Sequence, residues 1–418
     1  MKTDPHTLAS AIRTNPLYDK WLERAGALLA SGATAGTRYP EVWIRDLTTF
    51  IELALDYADP RDMRTALLTF FKFQGDDGGI IDGYTSKDAS VDDYRFIRTP
   101  LCPDLNGHKN TVETDQESSL VQAVRIYVDK TGDQAFLETG VDGIAVIERM
   151  ECALAFVRRE RWTEKYGLVW NATTIDWGDV QPEHAWGVEL DESSHPACCI
   201  YTNALYLSAL RDAAELCRRT GRDGGRWRET ADQLQRNIRA HLWDAGRGKF
   251  RPHLYLEKGS PFPEDFDEDT IYYHGGTACA ILADLLSEEE IIDALGKMRA
   301  NRDAAGVRTL GLTVWPVYRI DASPNPVFHT PFYYQNGGDW PWFGGRMVLA
   351  LIQYGLIEEA CEELQCILEM IDRVGDYYEW YAPDGAPNGA AEFRGAAGVV
   401  GLAIQKLRSR DFPNHENQ

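Results

Sequence analysis

The chain has 418 residues, of which 44% are hydrophobic, and this is enough to bury a large core in one big domain or two ordinary ones. Its formal net charge is −22, which argues against nucleic acid and against an anionic membrane surface as partners. No apolar run approaches the ~18 residues of a membrane span, and the N-terminal stretch MKTDPHTLASAIR lacks an apolar signal region, so we expect a cytoplasmic protein.

Helical periodicity dominates the chain. Apolar residues recur at steps of three and four, for example at Leu207, Leu210 and Ala214, and glycines such as Gly132 mark helix ends. The predicted helices span residues 6–30, 46–58, 60–74, 116–131, 139–159, 200–219, 225–242, 276–286, 288–299, 345–355, 357–373 and 394–409.

The connections between these helices alternate between long and short. The long ones span about 31–45, 75–115, 160–199, 243–275, 300–344 and 374–393. In an antiparallel array every second connection lies at the same end, so the long loops would gather there and build a site. The pattern favours an all-α fold, an (α/α)6 barrel, as one catalytic domain over residues 1–418. An α-solenoid is the structural alternative, although the sequence shows no repeating signature.

Metal and redox chemistry find little support in the sequence. The eight cysteines are scattered without a CxxC motif or zinc-like spacing, which predicts free thiols in a reducing compartment. His184, His195, His274 and His329 are separately placed. We therefore expect neither a metal nor another cofactor.

Each long loop carries polar and aromatic residues. The stretches YPEVW and YYEWYAP are examples, and such aromatics either stack on sugar rings or pack over the mouth of the domain. Capping of the following helix is the simpler interpretation for the acidic residues of the first two loops. The candidate site residues are Trp43, Arg45, Asp46, Asp115, Gln116, Asp176, Trp177, Asp179, Asn336, Gly338, Asp339, Trp340, Tyr378, Glu379 and Trp380.

Two carboxylates from loops on opposite sides of a funnel suit glycoside hydrolysis, in which one protonates the leaving oxygen and the other activates water or attacks directly. Glu379 lies among four aromatic residues, and this apolar setting would raise its pKa. The stretch NATTIDWGDV supplies Asp176 and Asp179 around Trp177. No GxSxG elbow, P-loop or GxGxxG motif offers another chemistry.

Several segments, in order from about residue 39 to 404, resemble glycosidases with (α/α)6 catalytic domains. VWIRDLTTFIELAL, TTIDWGDV, YYQNGGDWPWF and YYEWYAPDG are similar to segments of glycoside hydrolase family 100, the neutral/alkaline invertases, and more loosely of family 63. The resemblance implies that Asp176 is the general acid and Glu379 the general base, and that Arg45 and Asp46 hold the glycone. It also implies an inverting mechanism on α-linked substrates.

The sequence departs from the invertases around the leaving-group side. W-G-D follows Asp176 where the invertases have two basic residues, about 20 residues (180–199) are inserted before the next helix, and Asp339 replaces a serine. Asp179 then contacts sugar hydroxyls or braces the loop, with Asp176 preferred as acid on the I-D match. These differences place sucrose in doubt as the substrate.

The leading hypothesis is an inverting exo-α-glycosidase that acts on a short α-glucoside or α-mannoside, with carboxyl groups roughly 6.5–9.5 Å apart. A small saccharide or glycoside would be its partner, and a homo-oligomer is left open. A sugar epimerase on the same barrel is the alternative enzyme, and it would need a pair of histidines in the funnel. A non-catalytic sugar-binding toroid is the alternative outside enzymes.

Overall fold

The computed structural model describes residues 4–89 and 96–410. Helices account for most of the regular structure within these ranges. The α-helices are α1 (Pro5–Thr14), α2 (Pro16–Ala30), α3 (Ile44–Ala54), α4 (Pro60–Lys72), α5 (Gln116–Thr131), α6 (Val146–Glu160), α7 (Ile200–Arg219), α8 (Gly225–His241), α9 (His274–Leu282), α10 (Glu288–Ala305), α11 (Pro326–His329), α12 (Pro341–Gln353), α13 (Ile357–Val374) and α14 (Arg394–Arg408).

Short antiparallel strands lie in the connections between the helices, so the fold is rich in helix and also contains small sheets. Within the described ranges they form two three-stranded sheets, ordered β1-β2-β3 and β12-β9-β8, and five two-stranded ladders. The strands are β1 (Val42–Trp43), β2 (Gly83–Ser86), β3 (Leu105–His108), β4 (Gly140–Val141), β5 (Ile144–Ala145), β6 (Trp162–Thr163), β7 (Leu168–Val169), β8 (Asn171–Ala172), β9 (Pro196–Cys198), β10 (Trp243–Asp244), β11 (Lys249–Phe250), β12 (Leu254–Tyr255), β13 (Tyr272–Tyr273), β14 (Val314–Trp315), β15 (Tyr378–Tyr381) and β16 (Pro387–Ala391).

Six of the described helices pack side by side in a ring. The helix α3 contacts α5, α5 contacts α7, and the series continues through α9, α12 and α14 back to α3. The close approach of α14 to its neighbours depends on Gly401, where a side-chain carbon would lie 2.5 Å from Leu53 Cδ2 and 3.1 Å from Ala25 Cβ. The remaining long helices, α2, α4, α6, α8, α10 and α13, each pack against members of the ring.

A cavity with about 770 Å³ of empty space, part of it open to solvent, lies on the axis of this ring, because all six of its helices contribute to the lining. The lining residues are Thr48, Thr49, Glu52, Ser119, Gln122, Ile126, Leu205, Ser208, Cys279, Leu282, Arg346, Leu349, Val399 and Leu402. Helices that surround one cavity and close on themselves exclude the open α-solenoid for the described residues.

Several predicted helix boundaries were wrong, and local chemistry explains each shift. The predicted helix 6–30 is split, because Asn15 caps a new helix whose first residue is Pro16. The predicted helix 139–159 begins only at Val146, because residues 140–145 form the β4–β5 hairpin. The short helix α11 was not predicted.

The chemistry of the cysteines agrees with the prediction of free thiols. All eight are free, and five of them are buried: Cys102, Cys198, Cys199, Cys217 and Cys279.

Among the described residues, no helix combines the length and the apolar character that crossing a membrane requires.

The ring also determines where a site can form. Its helices begin at Ile44, Gln116, Ile200, His274, Pro341 and Arg394, and each of these residues follows one of the long connections. Side chains near several of these N-termini meet in one cavity, which is described next.

Candidate active site

A cavity with about 810 Å³ of empty space, part of it open to solvent, lies at the N-terminal end of the helical ring. Five of the six long connections contribute residues to it, and half of the lining residues are Trp, Tyr or Phe. The lining consists of Tyr39, Trp43, Arg45, Asp46, Asp82, His108, Asn110, Trp177, Asp179, Trp186, Val188, Tyr334, Trp340, Trp342, Glu379 and Phe393.

Glu379 enters the cavity from β15, the first strand of the β15–β16 hairpin. The Tyr39 hydroxyl donates to both carboxylate oxygens at 3.1 Å, and the Ala390 backbone N–H donates to Oε2 at 2.9 Å. Burial raises the pKa of Glu379 to about 7, and the charges of Asp46 and Asp179 act in the same direction. The predicted rise of this pKa is confirmed, and the group changes its charge near neutral pH.

Asp179 is half-buried and lines the cavity from the loop after β8. The Gln335 side-chain amide donates to its Oδ1 at 2.6 Å. Its backbone carbonyl accepts a hydrogen bond from the Asn110 amide at 2.8 Å. Gln335 therefore orients the carboxyl group while Asn110 holds the backbone of the loop. The charge of this carboxyl contributes to the raised pKa of Glu379.

Asp176, the preferred acid on sequence grounds, does not line the cavity. Its side chain is buried, and its oxygens accept the Gly276 backbone N–H at 2.9 and 3.1 Å, in the first turn of α9. A helix N-terminus has unsatisfied N–H groups and a positive dipole end, so this carboxyl acts as a cap supplied by another loop. Burial raises its pKa to about 7.

The backbone explains why two acids three residues apart point to different places. Asp176 has φ of 53°, in the left-handed region that Asp and Asn tolerate better than most residues. Gly276 provides the space for its carboxylate, because a Cβ there would lie 2.8 Å from Asp176 Oδ1. The turn directs Asp176 to α9 and leaves Asp179 facing the cavity.

Aromatic side chains build one wall. Trp177 packs edge-on against Trp340 and Trp342, with ring centroids 4.7 and 5.2 Å away, and the Arg45 guanidinium lies 5.6 Å from its ring centroid. Elsewhere in the lining, the rings of Trp43 and His108 have centroids 5.4 Å apart. Such surfaces suit the apolar C–H faces of a sugar ring.

Asp46 and Trp177, which both line the cavity, each have a polar side-chain atom without a hydrogen-bond partner. Asp46 Oδ1 and Trp177 Nε1 are buried and have no hydrogen-bond partner among the described residues. Burial raises the pKa of Asp46 to about 7. A buried acceptor and donor without partners in a cavity are matched by the hydroxyl groups of a carbohydrate.

Arg45 reaches the cavity but is already engaged. Its Nε donates to Asp115 Oδ2 at 2.7 Å, and its Nη2 forms an ion pair with Glu113. Asp115 also accepts from the Tyr201 hydroxyl at 3.2 Å. Asp115, predicted to bind substrate, is thus a buried counter-charge for Arg45 and does not line the cavity.

Gln116 is also buried behind the cavity. Its amide donates to the Asn110 carbonyl at 3.0 Å and to Glu113 Oε1 at 3.1 Å. The residue therefore orders the loop that presents Asn110, and the prediction of direct substrate contact has no support in the geometry.

Gly338 and the two polar residues predicted beside it organise their own loop. The Asn336 amide donates to the Tyr318 carbonyl at 2.9 Å, and Asp339 accepts from the Thr309 backbone N–H at 3.0 Å. Gly338 packs closely, since a Cβ there would lie 3.1 Å from Trp340 Nε1. None of them lines the cavity, although they position Trp340, which does.

Tyr378 and Trp380 flank Glu379 on β15 but do not line the cavity. Trp380 packs against Tyr333, with ring centroids 5.9 Å apart, and Tyr378 contacts Tyr381 at 6.3 Å. Side chains alternate along a strand, so the neighbours of an inward-facing glutamate face elsewhere.

Sequence reasoning missed several residues of the cavity. Asp82 and Asn110 lie in a long connection without a recognisable motif, and Trp186 belongs to the stretch HAWGV in the inserted segment, where it is 62% exposed. The signal available was the excess of loop aromatics. The missed lining residues are Tyr39, Asp82, His108, Asn110, Trp186, Val188, Tyr334, Trp342 and Phe393.

The histidines that the sequence analysis considered as site residues or metal ligands are engaged elsewhere. His184, His195, His274 and His329 lie outside the cavity lining. His195 Nδ1 is 2.6 Å from Glu183 Oε1, and His274 Nε2 is 3.2 Å from the Asn301 amide. Across residues 4–89 and 96–410, no group of three or more His, Cys, Asp or Glu is arranged to hold a metal ion.

Comparison with known proteins decides the family. Residues 39–394 match the model of the mannosylglycerate hydrolase MGH1-like glycoside hydrolase domain. The chain belongs to this family. It is a glycoside hydrolase, and the looser of the two resemblances, to family 63, fits this result, whereas membership of family 100 is not shown.

Solved structures agree on the fold. The family 63 mannosylglycerate hydrolase from Thermus thermophilus, solved with glucose, shares 18% identity with a TM-score of 0.64, over 94% of this chain and 100% of that one. The same enzyme with Tris and D-glycerate gives 17% identity and 0.64, with the same coverage. A rhamnosidase from Klebsiella oxytoca with bound rhamnose gives 14% and 0.60, over 94% and 64%. No curated protein matches the sequence.

Proposed function

We propose that this glycoside hydrolase is an inverting exo-α-glycosidase that releases glucose or mannose from a short α-glycoside. The observation that carries the proposal is the pair Asp179 and Glu379, two carboxyl groups from different connections that line one aromatic cavity. Inverting hydrolysis needs two acids on opposite faces of the sugar, with room between them for water.

The general acid in this proposal is Asp179 and not Asp176. Asp179 faces the cavity and is oriented by Gln335 at Oδ1, so Oδ2 is available to protonate the glycosidic oxygen. Asp176 is occupied by the N-terminus of α9. The sequence match of I-D to the invertase segment led to the neighbouring acid because it could not show which carboxyl turns inward.

Glu379 is the general base. In its ionised form it accepts a proton from water, which attacks the anomeric carbon on the face opposite to Asp179. Its pKa of about 7, caused first by burial, suits a base that works near neutral pH. Tyr39 fixes the orientation of the carboxylate through its hydroxyl.

The cavity residues around these two acids bind the glycone in this proposal. Asp46 Oδ1 is available to accept a hydrogen bond from a sugar hydroxyl, and Trp177 Nε1 is available to donate one. Trp177 and Trp340 provide the apolar face. Arg45 contributes by holding the position of Trp177 and by its charge, because its donors already serve Asp115 and Glu113.

The architecture in this proposal is an (α/α)6 barrel in a single domain over residues 1–418. The closed ring of six helices and the cavity on its axis support the barrel. One apolar cluster, from Ile12 to Leu407, supports the single domain. The free cysteines support a reducing compartment such as the cytoplasm.

The residues that line the cavity disfavour both alternatives, the sugar epimerase and the non-catalytic sugar-binding protein. An epimerase with a histidine pair would need a second histidine, whereas His108 is the one histidine among the described lining residues and burial lowers its pKa to about 4. A binding protein that has lost catalysis would lack one carboxyl, whereas both are present.

Sugar release from a panel of α-glycosides tests the proposal. The panel comprises sucrose, trehalose, kojibiose, nigerose, maltose, isomaltose, glucosylglycerate and mannosylglycerate, with NMR to determine the anomer released first. We expect cleavage of at least one substrate with release of the β-anomer. Release of the α-anomer would contradict inversion, and no cleavage of any substrate would contradict the proposed activity.

A further inference from the structure

The fourth long connection, residues 243–275, differs from the other five in its relation to the cavity. The structure describes all of its residues, and none of them is part of the lining. Each of the other five long connections supplies residues to the lining. Connections of this length in a folded domain usually have a functional reason, so this one needs another role.

The fourth connection packs against the loop that carries Asp179. A second apolar cluster, distinct from the core around the ring, joins the third, fourth and fifth long connections. Ile175 and Val180 flank the segment from Asp176 to Asp179, and both are fully buried in this cluster. The segment that presents the proposed acid is thus anchored on the two following connections. The buried members of the cluster are Ile175, Val180, Phe262, Ile271, Tyr273, Val314, Tyr318, Ile320, Val327 and Phe328.

Glu268, in the fourth connection, is a carboxylate held by three donors beside this cluster. Its side chain is 12% exposed. Oε1 lies 2.8 Å from His253 Nδ1 and accepts from the Tyr318 hydroxyl at 2.7 Å, and Oε2 accepts from the Tyr255 hydroxyl at 2.7 Å. Burial acts to raise the pKa of Glu268, but the charge of His253 and these hydrogen bonds outweigh it and lower the pKa below its ordinary value. The group is therefore ionised near neutral pH and acts only as an acceptor.

Tyr318 links this carboxylate to the side chain that orients the acid. Its hydroxyl donates to Glu268, while its backbone N–H and carbonyl pair with the Asn336 side-chain amide at 2.7 and 2.9 Å. The neighbouring Gln335 donates to Asp179 Oδ1 at 2.6 Å. A displacement of Tyr318 would therefore reach the residue that orients Asp179.

Tyr273 provides a second link to the same loop. Its hydroxyl oxygen lies 2.7 Å from that of Tyr318 and 3.2 Å from the Thr174 carbonyl oxygen. Because Tyr318 gives its single hydroxyl proton to Glu268, Tyr273 is the donor to Tyr318 as well as to Thr174. The network thus joins Glu268 to the backbone five residues before Asp179.

We propose that Glu268 is a positioning residue for the general acid Asp179. The inference rests on the function proposed above and goes beyond it, because it gives the fourth connection a role in the reaction. Glu268 lies outside the cavity lining, and it acts through Tyr318 and Tyr273 on the segments around Asp179. Loss of this support displaces the acid, and small displacements of a catalytic group are costly.

Two substrates that differ in their need for a proton test this inference. An O-glycoside depends on the acid, whereas the leaving group of the matching α-glycosyl fluoride departs without protonation. In Glu268→Gln the side-chain volume is kept, but the amide N–H₂ places a donor where the carboxylate accepts hydrogen bonds. We expect kcat/KM to fall by about tenfold or more on the O-glycoside and by less than about twofold on the fluoride.

A second variant and a matched control complete the experiment. Tyr318→Phe removes only the linking hydroxyl, and it should show the same selective loss even if Glu268→Gln fails to fold. Glu363→Gln is the control, because Glu363 is 2% exposed and accepts from Arg299 and Arg302 of α10, outside the second cluster. Its kcat/KM should change equally on the two substrates, and a selective loss on the O-glycoside there would overturn the specific role of Glu268.

The outcomes separate this inference from the proposed function. Equal changes on the two substrates in folded Glu268→Gln and Tyr318→Phe, beside a selective loss in Asp179→Asn, would overturn the positioning role alone. Wild-type protein that cleaves neither substrate would overturn the proposed glycosidase and this inference with it.

Discussion

Tyr39 adjusts the charge of the proposed base. Its hydroxyl donates to both oxygens of Glu379, and this hydrogen bond favours the ionised carboxylate. Glu379 must be ionised to act, so kcat/KM should fall as the pH drops below about 7. In Tyr39→Phe the lost donor raises the pKa of Glu379, and the acidic limb of the pH profile should move to higher pH.

The pH dependence of kcat/KM checks this prediction. Tyr378→Phe is the control, because Tyr378 lies one residue from Glu379 but outside the cavity lining. A Tyr39→Phe limb that stays in place or moves to lower pH would mean that Glu379 is not the titrating base.

Asp46 acts on the same carboxyl in the opposite sense. Its negative charge contributes to the raised pKa of Glu379. Asp46→Asn should therefore move the acidic limb to lower pH, even if KM rises through a lost sugar contact. The same pH series of kcat/KM measures both variants, and a shift to higher pH in Asp46→Asn would contradict the proposed electrostatic coupling.

At the scale of elements, the β15–β16 hairpin positions Glu379 by tight packing against Gly389. A Cβ at Gly389 would collide with the Glu379 side chain, including Oε2. Gly389→Ala should therefore lower kcat by about tenfold or more while the protein stays folded, since small displacements of a catalytic group are costly.

The same hairpin offers a matched control. Gly385 also has a positive φ, of 84°, but a Cβ there meets the Arg308 side chain, which is flexible. Gly385→Ala carries a similar backbone penalty without pressing on Glu379, so its kcat should stay close to that of the wild type. Equal losses in the two variants would show that backbone strain, and not contact with Glu379, lowers the rate.

The junction between the Asp176 loop and α9 is another element that depends on glycine. A side chain at Gly276 would lie 2.6 Å from Ile200 Cγ2 as well as close to Asp176. Gly276→Ala should lower the free energy of unfolding by about 1–3 kcal/mol through overpacking. Gly296→Ala, at an exposed helical glycine with free space around it, should be neutral or stabilising in the same denaturant titration.

How far the sequence predicted these elements depended on the kind of signal. Helical periodicity and the alternation of loop lengths located nine of the long helices within about four residues at both ends, whereas the start of α6, the end of α10 and the split at Asn15 were not predicted. The residues of the candidate site were harder to predict from the sequence than the helices. The aromatic surroundings of Glu379 made it a candidate, and it lines the cavity. Which of Asp176 and Asp179 faces the cavity depends on one left-handed residue, which composition and spacing do not reveal.

At the scale of the whole molecule, buried acids make stability depend on pH. The folded pKa of Asp176 is raised above its unfolded value, so its stabilising contribution is complete below the unfolded pKa and is lost as the pH rises through about 7. In the variant Asp176→Asn, the asparagine side chain cannot ionise, and asparagine tolerates the left-handed backbone at this position. Its free energy of unfolding relative to the wild type should therefore increase from pH 5 to pH 8.

Urea titrations of both proteins across this pH range measure the difference directly, because contributions from other groups cancel. A difference that stays constant with pH would mean that Asp176 does not lose its favourable contribution as it ionises in the folded state.

In the proposed mechanism, Asp179 and Glu379 divide the roles of acid and base. The most direct test compares cleavage of an O-glycoside and of the matching α-glycosyl fluoride, whose leaving group needs no protonation. Asp179→Asn should lose about 10²–10⁴-fold of kcat/KM on the O-glycoside but keep its activity on the fluoride. Glu379→Gln should lose activity on both substrates. Asp176→Asn should retain both. Loss of the O-glycoside alone in folded Asp176→Asn, with Asp179→Asn fully active, would contradict the assignment.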